Sequence, residues 1–311
     1  MPALQMNRLA GLAFGAAISL ASLSTGAAAA AACHSACAPM STVAAGQVTY
    51  AYRDLGPKQG APVVLLNRFR GTMDEWDPAF LDALAQHRRV IVFDNVGVSR
   101  TNGVASPRLR GWADGAASFI EALGLKNVDL LGFSFGGLVA QQLTLDRPEL
   151  VRRLVIVGSG AGFVEGHNLQ PRAIEVATKP VNSDDDFLYL FFRDTPTSQA
   201  AGKAHLARLR TRKDALTHPV SPQTWQAMLS AGSDVGSAET SLLNQASKIA
   251  QPVLVANGVE DAMIPTYQSY ALAEALPNAR LIVYPDSGHA FMFQYPELVA
   301  GDIDRFLSEK P

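Results

Sequence analysis

The chain has 311 residues, 48% of them hydrophobic and 17% charged, with a formal net charge of −2 at pH 7. That supplies the core of one large domain, and a near-neutral chain has no basic cluster to suggest a nucleic-acid surface. No His, Cys or carboxylate set at helical spacing suggests a metal site, and no G-x-G-x-x-G follows a strand, so no cofactor is expected.

The N-terminus is set apart from the rest. Asn7-Arg8 gives a short, weakly positive start, Leu9 to Leu23 is apolar, and Ser24-Thr25-Gly26 leads into Ala27 to Ala32. Residues 1–32 read as a bacterial-type secretory signal peptide with small-x-small cleavage sites. Their apolar run is shorter than the roughly 20 residues of a membrane span, which makes an uncleaved anchor the lesser reading. The expected location is periplasmic or secreted, with no stable membrane insertion after cleavage. Cys33 and Cys37, both cysteines of the chain, follow directly and could close a small loop in an oxidising compartment. Lipidation of Cys33 is the minor alternative, because Ala30 stands where a lipobox usually has Leu.

From Val48 the pattern alternates. Strands are expected at Val48–Arg53 and Pro62–Leu66, then a helix over Pro78–Gln86 started by Asp77, and a strand over Arg89–Phe93. A helix over Gly111–Leu123 leads to the strand beginning at Val128, followed by a helix over Leu138–Leu145 and a strand over Arg153–Val157. Between Ala161 and about Ser247 strand-like runs are scarce. Helical segments replace them at Asp184–Phe192, Gln199–Arg210 and Pro222–Leu229. Strands resume at Pro252–Ala256 and Ala279–Tyr284. Such alternation predicts an α/β fold: a mostly parallel central sheet flanked by helices. The division expected is core over 33–160, a helical insertion over 161–248, and core again over 249–311.

The chemistry concentrates in Gly132-Phe133-Ser134-Phe135-Gly136, a G-x-S-x-G placed between a strand and a helix. In that setting a sharp turn strains the serine backbone, glycines remove the flanking clashes, and the helix start offers free N–H groups to a developing oxyanion. A serine hydroxyl needs a base to take its proton. His289, in the loop after the strand Ala279–Tyr284, can accept and return one near neutrality. Asp261, in the loop after Pro252–Ala256, can fix the imidazole tautomer. Glu260 and Asp286 are rival acids. Asp286 lies only three residues before His289, too close to sit behind its ring. The other histidines (His34, His87, His167, His205, His218) lack a strand-loop setting and read as ordinary polar residues, although His167, His205 or His218 could line a pocket.

The order Ser, Asp, His, each after its own strand, resembles the α/β-hydrolase fold superfamily from about Val48 to Leu307, with a serine nucleophile and a helical cap. The spacing from Gly258 to Pro265 in the family pattern favours Asp261 over Glu260. Phe93-Asp94-Asn95-Val96-Gly97-Val98-Ser99 also resembles a family turn, with Asp94 bonding locally. The resemblance implies that 161–248 is a lid over the nucleophile, and that the oxyanion hole uses the N–H groups of Phe135 and Phe69. The loop Asn67-Arg68-Phe69 stands where the family commonly has His-Gly-x. Asn67 and Arg68 therefore become candidates for substrate contact, and Arg68 could take a substrate anion. The alternative is that Arg68 or Arg70 turns outward or pairs with Asp74, Glu75 or Asp94. Among aromatic pocket candidates are Phe191, Trp225 and Phe291, each better read as core packing, and the run Phe187–Phe192 should pack the insertion down and partly roof the pocket.

The resemblance implies a secreted hydrolase of small carboxylic esters or lactones acting through an acyl-enzyme. Perhydrolase (haloperoxidase-type), amide or C–C bond chemistry on the same residues is the alternative. A reading from another class is a non-catalytic ligand-binding receptor. The partner in all cases is a small molecule, with no nucleic acid.

Overall fold

The computed structural model describes residues 35–212 and 217–310. The leader, Cys33 and His34 lie outside the described residues, so the expectations for them stay as stated. Cys37 is exposed at the end of a 3-10 turn, Ser35–Cys37.

Eight strands form one sheet: β1 (Ser41–Ala45), β2 (Val48–Leu55), β3 (Val63–Leu66), β4 (Val90–Phe93), β5 (Val128–Phe133), β6 (Val151–Val157), β7 (Val253–Gly258) and β8 (Ala279–Tyr284). Their spatial order is β1-β2-β4-β3-β5-β6-β7-β8. The pairings of β1 with β2 and of β2 with β4 are antiparallel, and all the others are parallel. Strands β3, β4, β5 and β7 are buried along their whole length, as expected where helices cover both faces.

Alternate side chains separate into two cores because successive residues of a strand point to opposite faces. Val63, Leu65, Leu131, Phe133, Val155 and Val157 face one layer. That layer holds α1 (Pro78–Ala85), α10 (Phe291–Gln294) and α11 (Pro296–Ser308). Val64, Leu66, Leu130, Leu154 and Ile156 face the other, with α2 (Leu109–Ala122), α3 (Phe135–Asp146) and α9 (Thr266–Ala275). Between β6 and β7 come α4 (Pro171–Ala177), α5 (Asp184–Phe191), α6 (Pro196–Leu209), α7 (Pro222–Ser233) and the short α8 (Leu243–Ala246). Among the described residues no helix is long and apolar enough to cross a membrane.

Every strand and helix expected from the pattern appears, with ends shifted by a few residues. Asp77 caps α1 as expected, its carboxylate accepting from Ala79 N–H at 2.8 Å. Helix α2 begins two residues early because Leu109 N–H finds an acceptor from outside the helix, the Asp234 carboxylate at 2.8 Å. Strand β1 lacks a clear apolar alternation. It forms by pairing with β2 in the register Val43↔Tyr50.

Candidate active site

The end of β5 turns straight into α3, and Ser134 occupies the turn at φ 54°, ψ −119°. That conformation is strained for a residue with a Cβ. It is held by Ser134 N–H donating to Val157 O at 3.0 Å and Gly137 N–H donating to Ser134 O at 2.8 Å. Close packing explains Gly136: a Cβ there would lie 2.2 Å from Leu66 O and 2.8 Å from Asn67 O. The turn is thereby pressed against the end of β3 and the loop that follows it.

Two further loops meet beside it. Gly258 ends β7 so near the 287–288 backbone that a Cβ would stand 2.2 Å from Gly288 O, and Glu260 N–H donates to Ser287 O at 3.1 Å. This close approach brings Asp261 to His289. Asp261 Oδ2 lies 2.7 Å from His289 Nδ1, while Oδ1 accepts from Met263 N–H at 2.8 Å and Ile264 N–H at 2.9 Å. With its carboxylate so occupied, the aspartate favours the tautomer that leaves His289 Nε2 unprotonated. Nε2 is buried and has no hydrogen-bond partner among the described residues. The ring lies 5.0 Å from that of Phe133 and 5.4 Å from that of Phe191. No hydrogen bond joins Ser134 to His289 among the described residues; such bonds are often long before substrate binds. The rival acids are engaged elsewhere. Glu260 pairs with Arg193, and Asp286 accepts from Thr195 Oγ1 at 2.8 Å.

Ser134 and His289 share the wall of one cavity of about 510 Å³. Its apolar surface comes from Phe69 on the β3 loop, Met263 beside the aspartate, and Phe187, Phe191, Leu206 and Trp225 on the inserted helices. Phe135 heads α3, so its N–H has no acceptor within the helix. Nothing among the described residues accepts from Phe69 N–H either.

The other candidates divide. Arg68 lines the cavity, but its guanidinium is bound internally. Nη2 reaches Glu75 Oε1 at 2.8 Å, Nη1 donates to Phe69 O at 2.9 Å, and the plane lies 5.0 Å from the Phe191 ring. Asn67 and Phe291 are not on the cavity wall. Asn67 donates to Phe93 O at 2.9 Å and accepts from Trp76 Nε1 at 2.8 Å, pinning the β3 end to neighbouring elements. Phe291 is fully buried, stacked on Tyr284 at 4.9 Å. Both are packing residues, which corrects their candidacy for substrate contact. Asp94 reaches further than a local turn: its Oδ1 accepts from Met73 N–H at 2.7 Å, and burial pushes its carboxyl up to about 7.

Two features escape the sequence pattern. Leu206 and Leu209, three residues apart, face the cavity from an otherwise polar helix; that spacing was the available signal. His205, read as an ordinary polar residue, is fully buried with Nδ1 2.7 Å from Asp77 Oδ2.

Residues 61–296 match the α/β-hydrolase fold family, and the chain belongs to it. It is 31% identical over 233 residues to a 2-hydroxymuconate semialdehyde hydrolase of Pseudomonas putida, covering 72% of this chain and 79% of that one. To a non-heme chloroperoxidase of Streptomyces lividans it is 27% identical over 273 residues, covering 82% and 95%. An α/β-hydrolase fold protein from Chitinophaga pinensis superposes with a TM-score of 0.80 at 33% identity, covering 88% of this chain and 99% of that one.

Proposed function

We propose that this protein is a serine hydrolase of small carboxylic esters or lactones. The observation that carries the reading is the 2.7 Å contact between Asp261 and His289 Nδ1, with the buried, unpartnered Nε2 on the same cavity as Ser134. In the reaction His289 Nε2 takes the Ser134 proton as Oγ attacks the acyl carbon. The Phe69 and Phe135 N–H groups hold the oxyanion. His289 then protonates the leaving alkoxide, and in the second half-reaction takes a proton from the water that releases the acid. Asp261 stabilises the imidazolium each time it forms. The apolar walls suit an alkyl or aryl acyl group, and the inserted helices act as the lid that excludes water from it.

The test uses p-nitrophenyl acetate and a fluorophosphonate probe on the folded protein, followed by ester, lactone and amide panels. Turnover and a label on Ser134 are expected, with Ser134→Ala removing both. A folded protein showing neither is a binding protein rather than an enzyme. The similarity to a non-heme chloroperoxidase favours peracid formation as a second reading, in which hydrogen peroxide replaces water in attacking the acyl-enzyme. Residues 1–32 are proposed to direct export to the periplasm or beyond. N-terminal sequencing of the mature protein tests this, and a retained Met1 would refute it.

A further inference from the structure

The loop that follows β3 is fastened from an unexpected direction. Gly71 N–H donates to Arg68 O at 3.0 Å, closing a turn over residues 68–71. Arg70 takes the third position at φ 56°. Turns with positive φ there carry glycine or asparagine, and an ordinary side chain raises the energy by about 1 kcal/mol. The side chain shows what offsets this. Arg70 Nη1 donates to Ala177 O at 3.1 Å and Lys179 O at 2.6 Å, and Nη2 to Pro180 O at 3.1 Å. All three carbonyls lie at or just beyond the C-terminal end of α4. The guanidinium also lies 5.2 Å from the Trp225 ring of α7, and Arg70 N–H meets Met228 Sδ at 3.3 Å.

Among the described residues no carboxylate pairs with Arg70. Burial, and after it the neighbouring Arg68, press its pKa below the ordinary arginine range. Arg70 also lines the cavity, and its guanidinium is taken up there by three carbonyls and an indole of the inserted helices. Its neighbour in sequence is Phe69, whose N–H faces no acceptor among the described residues.

We propose that Arg70 is a positioning residue. It fastens the apex of the oxyanion loop to the 177–180 turn of the inserted helices, so that the Phe69 N–H is aimed at the reacting carbonyl only while those helices are seated. The lid thus completes the oxyanion hole besides covering it. This rests on the serine-hydrolase reading above.

The test compares Arg70→Gln and Arg70→Lys with the unaltered protein. Three readouts are used: kcat and KM on p-nitrophenyl acetate, affinity for a trifluoromethyl ketone, and melting temperature. The ketone forms a tetrahedral adduct on Ser134 and so reports the oxyanion hole. Deleting one oxyanion donor outright lowers kcat by about a hundredfold or more, so misplacing one should lower it about tenfold in Arg70→Gln. KM should stay within about twofold, and ketone affinity should fall in step with kcat. Arg70→Lys keeps the charge and one donor and should fall between. Unchanged kcat in folded Arg70→Gln, or a loss confined to KM, overturns the proposal. Should Arg70→Gln not fold, wild-type kcat and ketone affinity in Arg70→Lys overturn it equally. If the unaltered protein neither turns over nor labels at Ser134, it is the hydrolase reading that fails.

Discussion

Asp77 is the point at which the inserted helices are tied to the sheet layer beneath, and Asp77→Asn tests how much that tie contributes. Its carboxylate is fully buried and serves four donors. Oδ1 caps α1 through Ala79 N–H at 2.8 Å and meets Arg208 Nε at 2.9 Å. Oδ2 meets His205 Nδ1 at 2.7 Å and Arg208 Nη2 at 2.6 Å. His205 and Arg208 are three residues apart on α6, so one carboxylate grips one helical turn. Burial alone would raise the Asp77 pKa, but the hydrogen bonds from His205 and Arg208 outweigh it and hold the carboxyl below the usual range. His205 is pressed down by burial against the pull of Asp77. The neutral ring therefore donates from Nδ1, and the charge pairing is with Arg208. An Asn can keep the cap through its Oδ1 but must then turn its NH2 towards His205 Nδ1 and Arg208 Nη2, both of which are donors. Breaking a buried pair costs about 3–5 kcal/mol. Arg208 is 32% exposed and can rehydrate, so the lower end, about 3 kcal/mol, applies. For a chain this size that lowers Tm by about 6 °C. The sign with pH is fixed by the depressed pKa of Asp77. Its contribution is complete above about pH 4 and is lost as pH falls through the folded value. Calorimetry at pH 7 and urea unfolding from pH 7 to 3 measure both. A melting point within about 1 °C of wild type, or a gap that does not narrow in acid, refutes the reasoning.

Gly136→Ala should destabilise by about 3 kcal/mol, the upper end for overpacking, because its Cβ would meet the main chain of Leu66 and Asn67 rather than a movable side chain. Thermal unfolding checks it, and a variant that melts with wild type would mean the turn is less tightly pressed than the distances imply. Asp94→Asn should flatten the dependence of stability on pH between about 4 and 7. With its pKa pushed up to about 7, chiefly by burial, Asp94 is protonated in the fold only below that pH. Its contribution is present below the unfolded carboxyl pKa and lost as pH rises through the folded one, at most about 4 kcal/mol. Urea titrations across that range decide, and parallel curves for the two proteins would contradict the assignment.

The sheet was legible because its central strands are continuous apolar runs punctuated by glycine and proline, a pattern with few alternatives. Asp261 and His289 were nameable for a related reason. Each follows such a strand, so the strand ends fix where their loops begin even though the two are 28 residues apart. What could not be read is side-chain direction on the loops. Arg68, Asn67 and Phe291 all sit near Ser134 in the chain's layout, yet only Arg68 reaches the cavity, and Glu75 already holds it. Strand β1 escaped because its register comes from β2 and not from its own composition.

Arg70 and His205 show the same limit from the other side. Each is a polar residue whose partners are distant in sequence, 107 residues for Ala177 and 128 for Asp77. No local period announces such a contact, because the hydrogen bonds form only after the inserted helices have docked. Both contacts join the inserted helices to the core, at the loop after β3 and at the start of α1. Under the proposed function, those junctions are where a change in the inserted helices would reach the chemistry. Loss of the Asp77 grip should therefore loosen α6, with Leu206 and Leu209, and act mainly on KM. Loss of Arg70 should act on kcat. The two variants separate holding the substrate from stabilising its transition state.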